Sequence, residues 1–483
     1  MSIRIPFFLI GLIFFFTSCS QKQKRPPNII LMVADDLGYN DLSCYRAKNA
    51  PQTGEIPTSN TPHIDGLAKQ GLLFTDFYSG AAVCSPSRAA LLTGRNKTRL
   101  GIYNWIPPKV PMHLEAEETT IAEMLKEQGY ATGHFGKWHL TSQDMPQPEP
   151  LDQGFDYAFW THNNAIPSHR NPVNFIRNRE KLNELKGYSS HLVVEEAITW
   201  LNKKKDDESP FYINVWFHEP HNKVAAPDSL KKRHKTHKAY YGCIENMDYA
   251  VGRLMSYLKK NGLDENTIIL YTSDNGSKVK GSNNPFRGQK CFQYEGGIRV
   301  PFIAYWKGRI PAGTVSHNPG HFTDVLPTLA KLTQSPVPDK KAIDGEDLSQ
   351  IFLGFARTQI RKEPLFFYRY FHDPICMLRQ GDMVLLGYQN PPKPWQKHYN
   401  EGKEALFKPK KGEPSQWRFQ ESHMKALKNQ EPKYFELYNI GEDLEQRVDL
   451  SESEPELLER LKKSMLEKRS EMVEEGGDWY EKN

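Results

Sequence analysis

Residues 28–36 have the sequence Asn28-Ile-Ile-Leu-Met-Val-Ala-Asp-Asp36, an unbroken apolar run that ends in two carboxylates. A strand that is apolar on both faces is typical of a parallel sheet covered by helices on each side. The same design recurs at Phe211–Phe217, which leads into His218-Glu-Pro-His221, and at Thr267–Thr272, which leads into Ser273-Asp-Asn-Gly276. Because ligands bind at the carboxyl ends of such strands, the three polar endings are predicted to meet at one site.

Helical patterns lie between these strands. Thr120-x-x-Glu123 is a capping box that opens a helix, and Gly129 is predicted to end it. A later segment carries an apolar stripe at helical spacing, interpreted as plain core: Ile244, Met247, Val251, Leu254 and Leu258. The alternation of strands and helices predicts an α/β fold, with a large mixed β-sheet sandwiched by helices.

The pattern changes near residue 360. Leu365–Tyr370 and Met383–Tyr388 predict antiparallel strands, and an amphipathic helix is expected from about Pro455. We therefore predict a catalytic domain at 27–360 and a smaller C-terminal α+β domain at 361–483, which carries a short antiparallel sheet and a terminal helix.

The N-terminus has the pattern of an export signal. Arg4 precedes the apolar run Ile5–Phe16, which is too short to span a bilayer, and the small residues Ser18 and Cys19 follow it. Phe16-Thr-Ser-Cys19 resembles a bacterial lipobox, in which cleavage leaves a lipidated Cys19. The alternative is a plain secretory signal peptide at 1–19. Both predict an exported protein, either periplasmic or anchored to the outer membrane through its lipid alone.

Composition limits the classes of protein to which this chain can belong. The chain has 483 residues, is 38% hydrophobic and carries a formal net charge of +5, enough for a large core. No basic block with interleaved aromatics indicates a nucleic-acid surface, so no nucleic-acid partner is predicted. Six cysteines are too few for a disulfide scaffold in a chain of this size. The pairing of Cys44, Cys243, Cys291 and Cys376 is left open.

The most specific motif is Cys84-Ser-Pro-Ser-Arg88, extended by Leu92-Thr-Gly-Arg95. Gly136-Lys-Trp-His139 follows, and Lys290 stands just ahead of Tyr294-Glu-Gly-Gly-Ile-Arg-Val-Pro301. With the strand endings, this ordered set resembles the type I, formylglycine-dependent sulfatases of the alkaline phosphatase-like superfamily. The resemblance, which includes arylsulfatases and N-acetylgalactosamine-6-sulfatase-like carbohydrate sulfatases, covers the chain from Pro27 to the last helix.

The strand endings also predict a metal site. Asp35, Asp36, Asp274 and Asn275 offer only oxygen ligands, which suit a hard cation such as Ca²⁺ or Mg²⁺ rather than zinc. The resemblance implies Ca²⁺, with modified Cys84 as a further ligand. Taken singly, these candidate ligands also fit ordinary turns after a strand, because Asp-Asn-Gly is a strong turn signal.

The resemblance implies that a maturation enzyme oxidises Cys84 to formylglycine. The hydrate of that aldehyde has one hydroxyl that attacks sulfur and a second whose deprotonation expels sulfate, which divides one difficult displacement into two steps. An unmodified thiol would instead form a stable adduct with sulfur. Arg88 is expected to hold the hydrate.

The resemblance also implies the proton carriers and the sulfate contacts. His139 is expected to be the base for sulfate release, with Lys137 beside it, and His221 to protonate the leaving alcohol. Lys290 is expected to bind a sulfate oxygen as an ammonium point charge. This chain departs from the family where Lys223 replaces a proline two residues after His221, which leaves the local loop geometry open.

Four further residues are predicted substrate contacts: His218, His162, Asn163 and Asn164. A polar cluster rich in His and Asn suits sugar hydroxyls and sulfate. For His218 the alternative is a core hydrogen bond, and for residues 162–164 it is an ordinary surface loop.

These observations predict a sulfatase that hydrolyses a sulfate monoester. A saccharide substrate is expected because an exported enzyme meets polysaccharides more often than small aryl sulfates. One alternative is a phosphonate monoester or phosphodiester hydrolase of the same superfamily. Another is an inactive protein that binds sulfated glycans, although the complete set of reactive residues argues against it.

Overall fold

The computed structural model describes residues 25–49, 59–205, 207–369, 375–392 and 421–481. The predicted signal peptide at 1–19, with Cys19, lies outside them. Within these ranges no helix has the length and apolar character needed to cross a bilayer. The five cysteines that they contain are free thiols.

The strands of the described residues form one large sheet, a four-stranded sheet and a two-stranded one. They are β1 (Asn28–Asp35), β2 (Leu72–Phe74), β3 (Phe77–Tyr78), β4 (Ala131–Lys137), β5 (Tyr157–Thr161), β6 (Ile176–Arg177), β7 (Glu180–Lys181), β8 (Phe211–Pro220), β9 (Thr267–Ser273), β10 (Phe302–Tyr305), β11 (Thr314–Ser316), β12 (Gly320–His321), β13 (Leu365–Arg369), β14 (Ile375–Gln380), β15 (Met383–Tyr388) and β16 (Tyr434–Asn439).

The helices cover both faces of the large sheet. They are α1 (Ser43–Asn49), α2 (Pro62–Gln70), α3 (Cys84–Thr93), α4 (Ile121–Lys126), α5 (Ser189–Lys204), α6 (Asp228–Lys231), α7 (Lys238–Lys260), α8 (Glu295–Ile298), α9 (Val325–Thr333), α10 (Ser349–Phe352), α11 (Glu421–Asn429) and α12 (Pro455–Glu475), with short 3₁₀ helices at Pro150–Asp152, Leu263–Asn266 and Phe322–Asp324.

The large sheet has ten strands in the order β11-β2-β10-β9-β1-β8-β4-β5-β6-β7. Its five central strands, from β9 to β5, are parallel to one another, while β10 is antiparallel to β9 and β6 is antiparallel to β5. Alternate residues of β1 enter different cores. Ile29 packs into the core that contains α3 and α9, and Ile30 packs into the core of α5 and α7. The predicted mixed sheet between helices is therefore confirmed, as is the buried stripe of α7.

Two boundaries differ from the sequence pattern. The capping box of α4 forms as expected, with the Thr120 hydroxyl accepting from Glu123 N at 3.2 Å, but the helix ends at Lys126 rather than at Gly129. Strand β8 continues through His218 and Glu219 to Pro220, which pairs with Asp35 of β1. His218 therefore lies inside the sheet and not in a loop beyond it.

The four-stranded sheet is antiparallel, in the order β13-β14-β15-β16. The two strands predicted from the sequence do not pair with each other, because β14 lies between them. That segment was missed since Ile375–Gln380 lacks the alternation of a half-buried strand. In α12, Leu461 and Met465 are buried as predicted and share a core with the large sheet, while Leu457 and Leu458 are half-buried. The boundary at 360 stays a prediction.

Arg95 ties α12 to the segment that follows α3. Its Nη1 donates to both carboxylate oxygens of Glu118 at 2.7 Å, and its Nη2 contacts Glu475 of α12. Arg95 and Glu118 are almost completely buried, and Lys341 is the second cation on Glu118. The signature motif is thus anchored at its far end by a buried ion pair.

Replacing Arg95 with Met is expected to lower the free energy of unfolding by about 3 kcal/mol, because it leaves a buried carboxylate with one cation fewer. Urea denaturation followed by circular dichroism measures the change. The matched control is Arg447→Met, which removes an exposed pair with Glu445 and is expected to leave stability unchanged. Equal losses in the two variants would contradict this assignment.

Candidate active site

Five neighbouring parallel strands bring the predicted residues to one edge of the large sheet. Asp35 ends β1, Lys137 ends β4 and Asp274 directly follows β9. His221 follows β8, and residues 162–164 follow β5. Because β9, β1, β8, β4 and β5 are adjacent in that order, their carboxyl ends form one continuous crevice.

Cys84 is the first residue of α3, with its side chain 3% exposed. Burial raises the pKa of its thiol, although the ammonium groups of Lys137 and Lys290 act in the opposite direction. The carboxylates of Asp35 and Asp274 also interact with the thiol, so the strand-end acids lie around residue 84. The unmodified side chain is therefore a neutral thiol in a strongly charged surrounding.

Arg88 lies one helical turn after Cys84 and is fully buried. Its Nε and Nη2 donate to Asp274 Oδ2 at 3.0 and 2.7 Å, and its Nη1 donates to the carbonyl oxygen of Lys137 at 3.0 Å. The guanidinium also lies 5.1 Å from the ring centre of Trp216. Arg88 therefore fixes α3 to the ends of β9 and β4.

The acids form a buried cluster with the two lysines. Lys137 Nζ lies 2.6 Å from Asp35 Oδ2, and Lys290 Nζ lies 2.5 Å from Asp36 Oδ1. Asp36 N donates to Asp274 Oδ1 at 3.2 Å, with Asp36 in a left-handed conformation at φ 67°. Burial by itself raises the pKa of Asp36, but Lys290 and His221 hold it below the usual range. Asp36 is therefore ionised.

The donor set fits a hard divalent cation. Asp35 Oδ1 and Asn275 Oδ1 are buried and accept no hydrogen bond from any residue that the structure describes. Arg88 Nη2 lies 3.9 Å from Asp35 Oδ1, too far for a hydrogen bond, and buried oxygens without a hydrogen bond are costly unless a cation contacts them. Asp35, Asp36 and His221 also place one candidate ligand atom each within 4.8 Å of one another. A cation with oxygen ligands would satisfy both orphaned oxygens.

The two predicted proton carriers are neutral in this state. Burial, followed by the charges of Lys137 and Arg88, lowers the pKa of His139 well below its ordinary value, and His139 Nδ1 has no partner among the described residues. Burial and Lys290 lower the pKa of His221 to about 3. A depressed pKa makes His139 a weak base, so a bound anion must raise that pKa before the ring accepts a proton. His221 can donate one only if the anionic substrate raises its pKa.

His218 is completely buried. Its Nε2 lies 2.7 Å from Thr161 Oγ1, and the ring packs edge-on against Phe175. These contacts favour the structural alternative over a substrate contact, because the side chain is held within the sheet by its neighbours.

The segment 162–164 borders the site. A cavity of about 320 Å³ is lined by His162, Asn163, Asn164, Asn222 and Lys223, among others. Asn164 Oδ1 accepts from Lys137 Nζ at 3.3 Å, which joins this cavity to the acid cluster. Lys223, which stands in place of the family's proline, also faces this cavity.

Two contacts of the site were not predicted from sequence. Trp216 lies beside the Arg88 guanidinium, and the Ile106 carbonyl lies 3.1 Å from His139 Nε2. Trp216 is one of several large apolar residues in β8, and a backbone carbonyl has no sequence signal. Neither contact is visible without the tertiary structure.

Comparison with known proteins gives consistent matches. The family model described as Sulfatase matches residues 27–335. N-acetylgalactosamine-6-sulfatase of Canis lupus familiaris is 34% identical over 382 residues, covering 71% of this chain and 69% of that protein. Arylsulfatase A of Homo sapiens is 34% identical over 381 residues, covering 73% and 72%. The crystal structure of Ps i-CgsB in complex with k-i-k-neocarrahexaose has a TM-score of 0.76 at 26% identity and covers 94% of both chains.

Proposed function

Because this chain belongs to the sulfatase family, we propose that it hydrolyses a sulfate ester of a carbohydrate, with residue 84 as the nucleophile after its oxidation to formylglycine by a maturation enzyme. The observation that carries the proposal is the Arg88 guanidinium, which joins the helix of Cys84 to the carboxylate of Asp274. It holds the helix of Cys84 beside a cluster of acids and ammonium groups.

Each group of the site is proposed to have its own role in the reaction. The formylglycine hydrate supplies the attacking hydroxyl and a second hydroxyl whose loss of a proton releases sulfate. A bound divalent cation supplies charge that lowers the pKa of the attacking oxygen. Lys137 and Lys290 bind sulfate oxygens, and their ammonium groups already lie beside residue 84. Once the bound sulfate anion has raised the pKa of both rings, His139 accepts the proton for sulfate release and His221 gives one to the leaving alcohol.

We propose Ca²⁺ as the cation, held by Asp35, Asp36, Asp274 and Asn275, with modified residue 84 as a further ligand. Three carboxylates and an amide oxygen match the many oxygen ligands that Ca²⁺ takes, whereas Mg²⁺ keeps several waters and uses fewer protein ligands. The two orphaned oxygens of Asp35 and Asn275 support this choice of donors.

Removal of the metal with a chelator is expected to lower activity at least about tenfold and to lower the midpoint of thermal unfolding, because the carboxylates lose their cation. Addition of Ca²⁺ should restore both quantities, and Mg²⁺ should restore less. Elemental analysis verifies that the metal has been removed. Full activity in verified metal-free protein would contradict the cation site.

A saccharide substrate is supported by the matched proteins. The canine relative is named for N-acetylgalactosamine, and the Ps i-CgsB structure holds a neocarrahexaose. The cavity beside Lys137 offers imidazole, amide and ammonium groups, which suit sugar hydroxyls and anionic substituents. We propose that residues 162–164 contact the sugar there.

Matched aryl esters test the reaction class. The matured protein is expected to release sulfate with a kcat/KM at least about 100-fold higher than for release of phosphate or phosphonate from esters of the same alcohol. Mass spectrometry of the peptide around residue 84 must first show the aldehyde. A preference for the phosphorus esters would instead identify a phosphonate or phosphodiester hydrolase, and no release from any ester would favour a glycan-binding protein.

We also propose that the protein is exported and acts outside the cytoplasm. The charged, apolar and small residues of 1–19 support export, and Cys19 is the candidate lipidation site. The division into domains at 27–360 and 361–483 is proposed from the change of pattern near residue 360.

A further inference from the structure

Helix α7 reaches the acid cluster through one side chain. Tyr240 is the third residue of α7 and is buried. Its hydroxyl donates to Asp41 Oδ2 at 2.5 Å. Ser277 Oγ lies 2.7 Å from the same hydroxyl, and because the one proton of Tyr240 goes to Asp41, Ser277 is the donor in this second contact. The Tyr240 hydroxyl therefore joins two loops that are far apart in the sequence.

The first loop, residues 35–41, begins with two of the proposed cation ligands. One of them, Asp36, has a left-handed backbone at φ 67°, which is unfavourable for a residue other than glycine. Its carbonyl oxygen lies 3.3 Å from the Tyr240 hydroxyl. Asp41 Oδ2 also accepts from Gly38 N at 2.8 Å, which closes the loop. Tyr240 thus contacts both the strained residue and the carboxylate that closes the loop around it.

The second loop, residues 274–277, follows β9 and holds the other two proposed protein ligands. Ser277 is 1% exposed, and its hydroxyl also accepts from Val279 N at 3.1 Å. Two residues earlier, Asn275 Nδ2 donates to Asp36 Oδ1 at 2.8 Å. The two loops therefore meet at the ligands themselves and are joined again through the Tyr240 hydroxyl.

We infer that Tyr240 is a positioning residue for the proposed cation site. It holds the two ligand-bearing loops in place before the cation binds, so that less conformational entropy is lost when their oxygens take up the ion. Helix α7 is a rigid support for this role, since it is 23 residues long and its apolar stripe is buried. The inference rests on the proposed function and deepens its cation site. Tyr240 acts through Asp36 and Ser277 and is not itself a ligand.

Tyr240→Phe tests the inference, because it keeps the ring and removes only the hydroxyl. Calorimetry with metal-free protein is expected to show Ca²⁺ affinity about tenfold lower than in wild type, since the loops must then be ordered when the ion binds. At limiting Ca²⁺, kcat/KM is expected to fall in proportion. Saturating Ca²⁺ should restore kcat to within about twofold of wild type, a rescue that general damage to the fold would not show.

Ser277→Ala breaks the same contact from the other loop and gives a second measurement if Tyr240→Phe does not fold, which thermal unfolding reports. A similar loss of Ca²⁺ affinity is expected. The double variant is expected to bind Ca²⁺ about as weakly as the weaker single variant, because both changes remove one shared hydrogen bond and their effects do not add.

Tyr271→Phe is the matched control. Tyr271 is a completely buried tyrosine of β9, and its hydroxyl has no hydrogen-bond partner among the described residues. Removing that hydroxyl is the same chemical change at a position without a contact to either loop through that atom. We expect Ca²⁺ affinity within about twofold of wild type.

Wild-type Ca²⁺ affinity in folded Tyr240→Phe or Ser277→Ala would overturn the inference, as would an equal loss of affinity in Tyr271→Phe. Calcium binding is measured without turnover, so this outcome is separate from that of the proposed function. A matured protein that shows the expected differences in Ca²⁺ affinity but releases no sulfate would contradict the proposed function alone. A wild-type protein that binds no Ca²⁺ would contradict both.

Discussion

Cys84→Ala is expected to lower kcat/KM by about 10⁴-fold or more without loss of the fold, because it removes the proposed nucleophile. The side chain is small and stands at the first position of α3, so alanine leaves little empty volume. The helix stays anchored by Arg88 and by Ser85, whose hydroxyl accepts from Ile106 N at 3.0 Å. Release of sulfate from an aryl ester measures activity, and thermal unfolding measures stability.

The matched control is Cys243→Ala, which removes another buried thiol. Cys243 lies on α7, 3.3 Å from His169 Nδ1, and belongs to no part of the proposed machinery. This variant is expected to keep kcat/KM within about twofold of wild type. Any effect is expected on the free energy of unfolding only. Parallel loss of activity and stability in Cys84→Ala would show a packing role for residue 84 rather than a chemical one.

Asp35→Asn is expected to weaken Ca²⁺ binding by at least about 100-fold and to lower kcat/KM by about 10³-fold. The amide keeps the size of the side chain but removes the charge that faces both the proposed cation and Lys137 Nζ. The ammonium group of Lys137 then loses its buried partner, which adds to the cost. Calorimetry measures Ca²⁺ affinity, and sulfate release measures activity.

Asp264→Asn serves as the control, because Asp264 is also buried but precedes β9, at the opposite edge of the sheet from Asp274. We expect unchanged Ca²⁺ affinity and activity in that variant. If Asp35→Asn binds Ca²⁺ as tightly as wild type does, the strand-end acids do not form the cation site and the proposed mechanism fails.

Local patterns predicted much of the large sheet. The apolar runs that became β1, β8 and β9 are recognisable because strands buried on both faces carry few polar residues between their ends. The four-stranded sheet was harder to predict, because polar and apolar residues do not alternate along β14. The motif around Cys84 and the acids at the strand ends were predicted to form one site, and these residues lie close together in the structure.

The packing of individual side chains was not predictable in the same way. Whether His218 faces the substrate or the core depended on how far β8 continues, and the structure places it against Thr161. Lys97 had no sequence signal, because a lysine within a polar segment ordinarily lies in solvent. Lys97 is nevertheless only 2% exposed in the structure.

The sequence by itself determined the kinds of groups available: a cysteine in a specific signature, oxygen ligands after buried strands, and histidines and lysines in fixed order. The tertiary structure alone decided which of them touch. Asp35 and Lys137 are 102 residues apart, yet they form a buried ion pair because the parallel strands β1, β8 and β4 end at one edge of the sheet. Contacts of that kind depend on the register of the whole sheet, which no local stretch of sequence encodes.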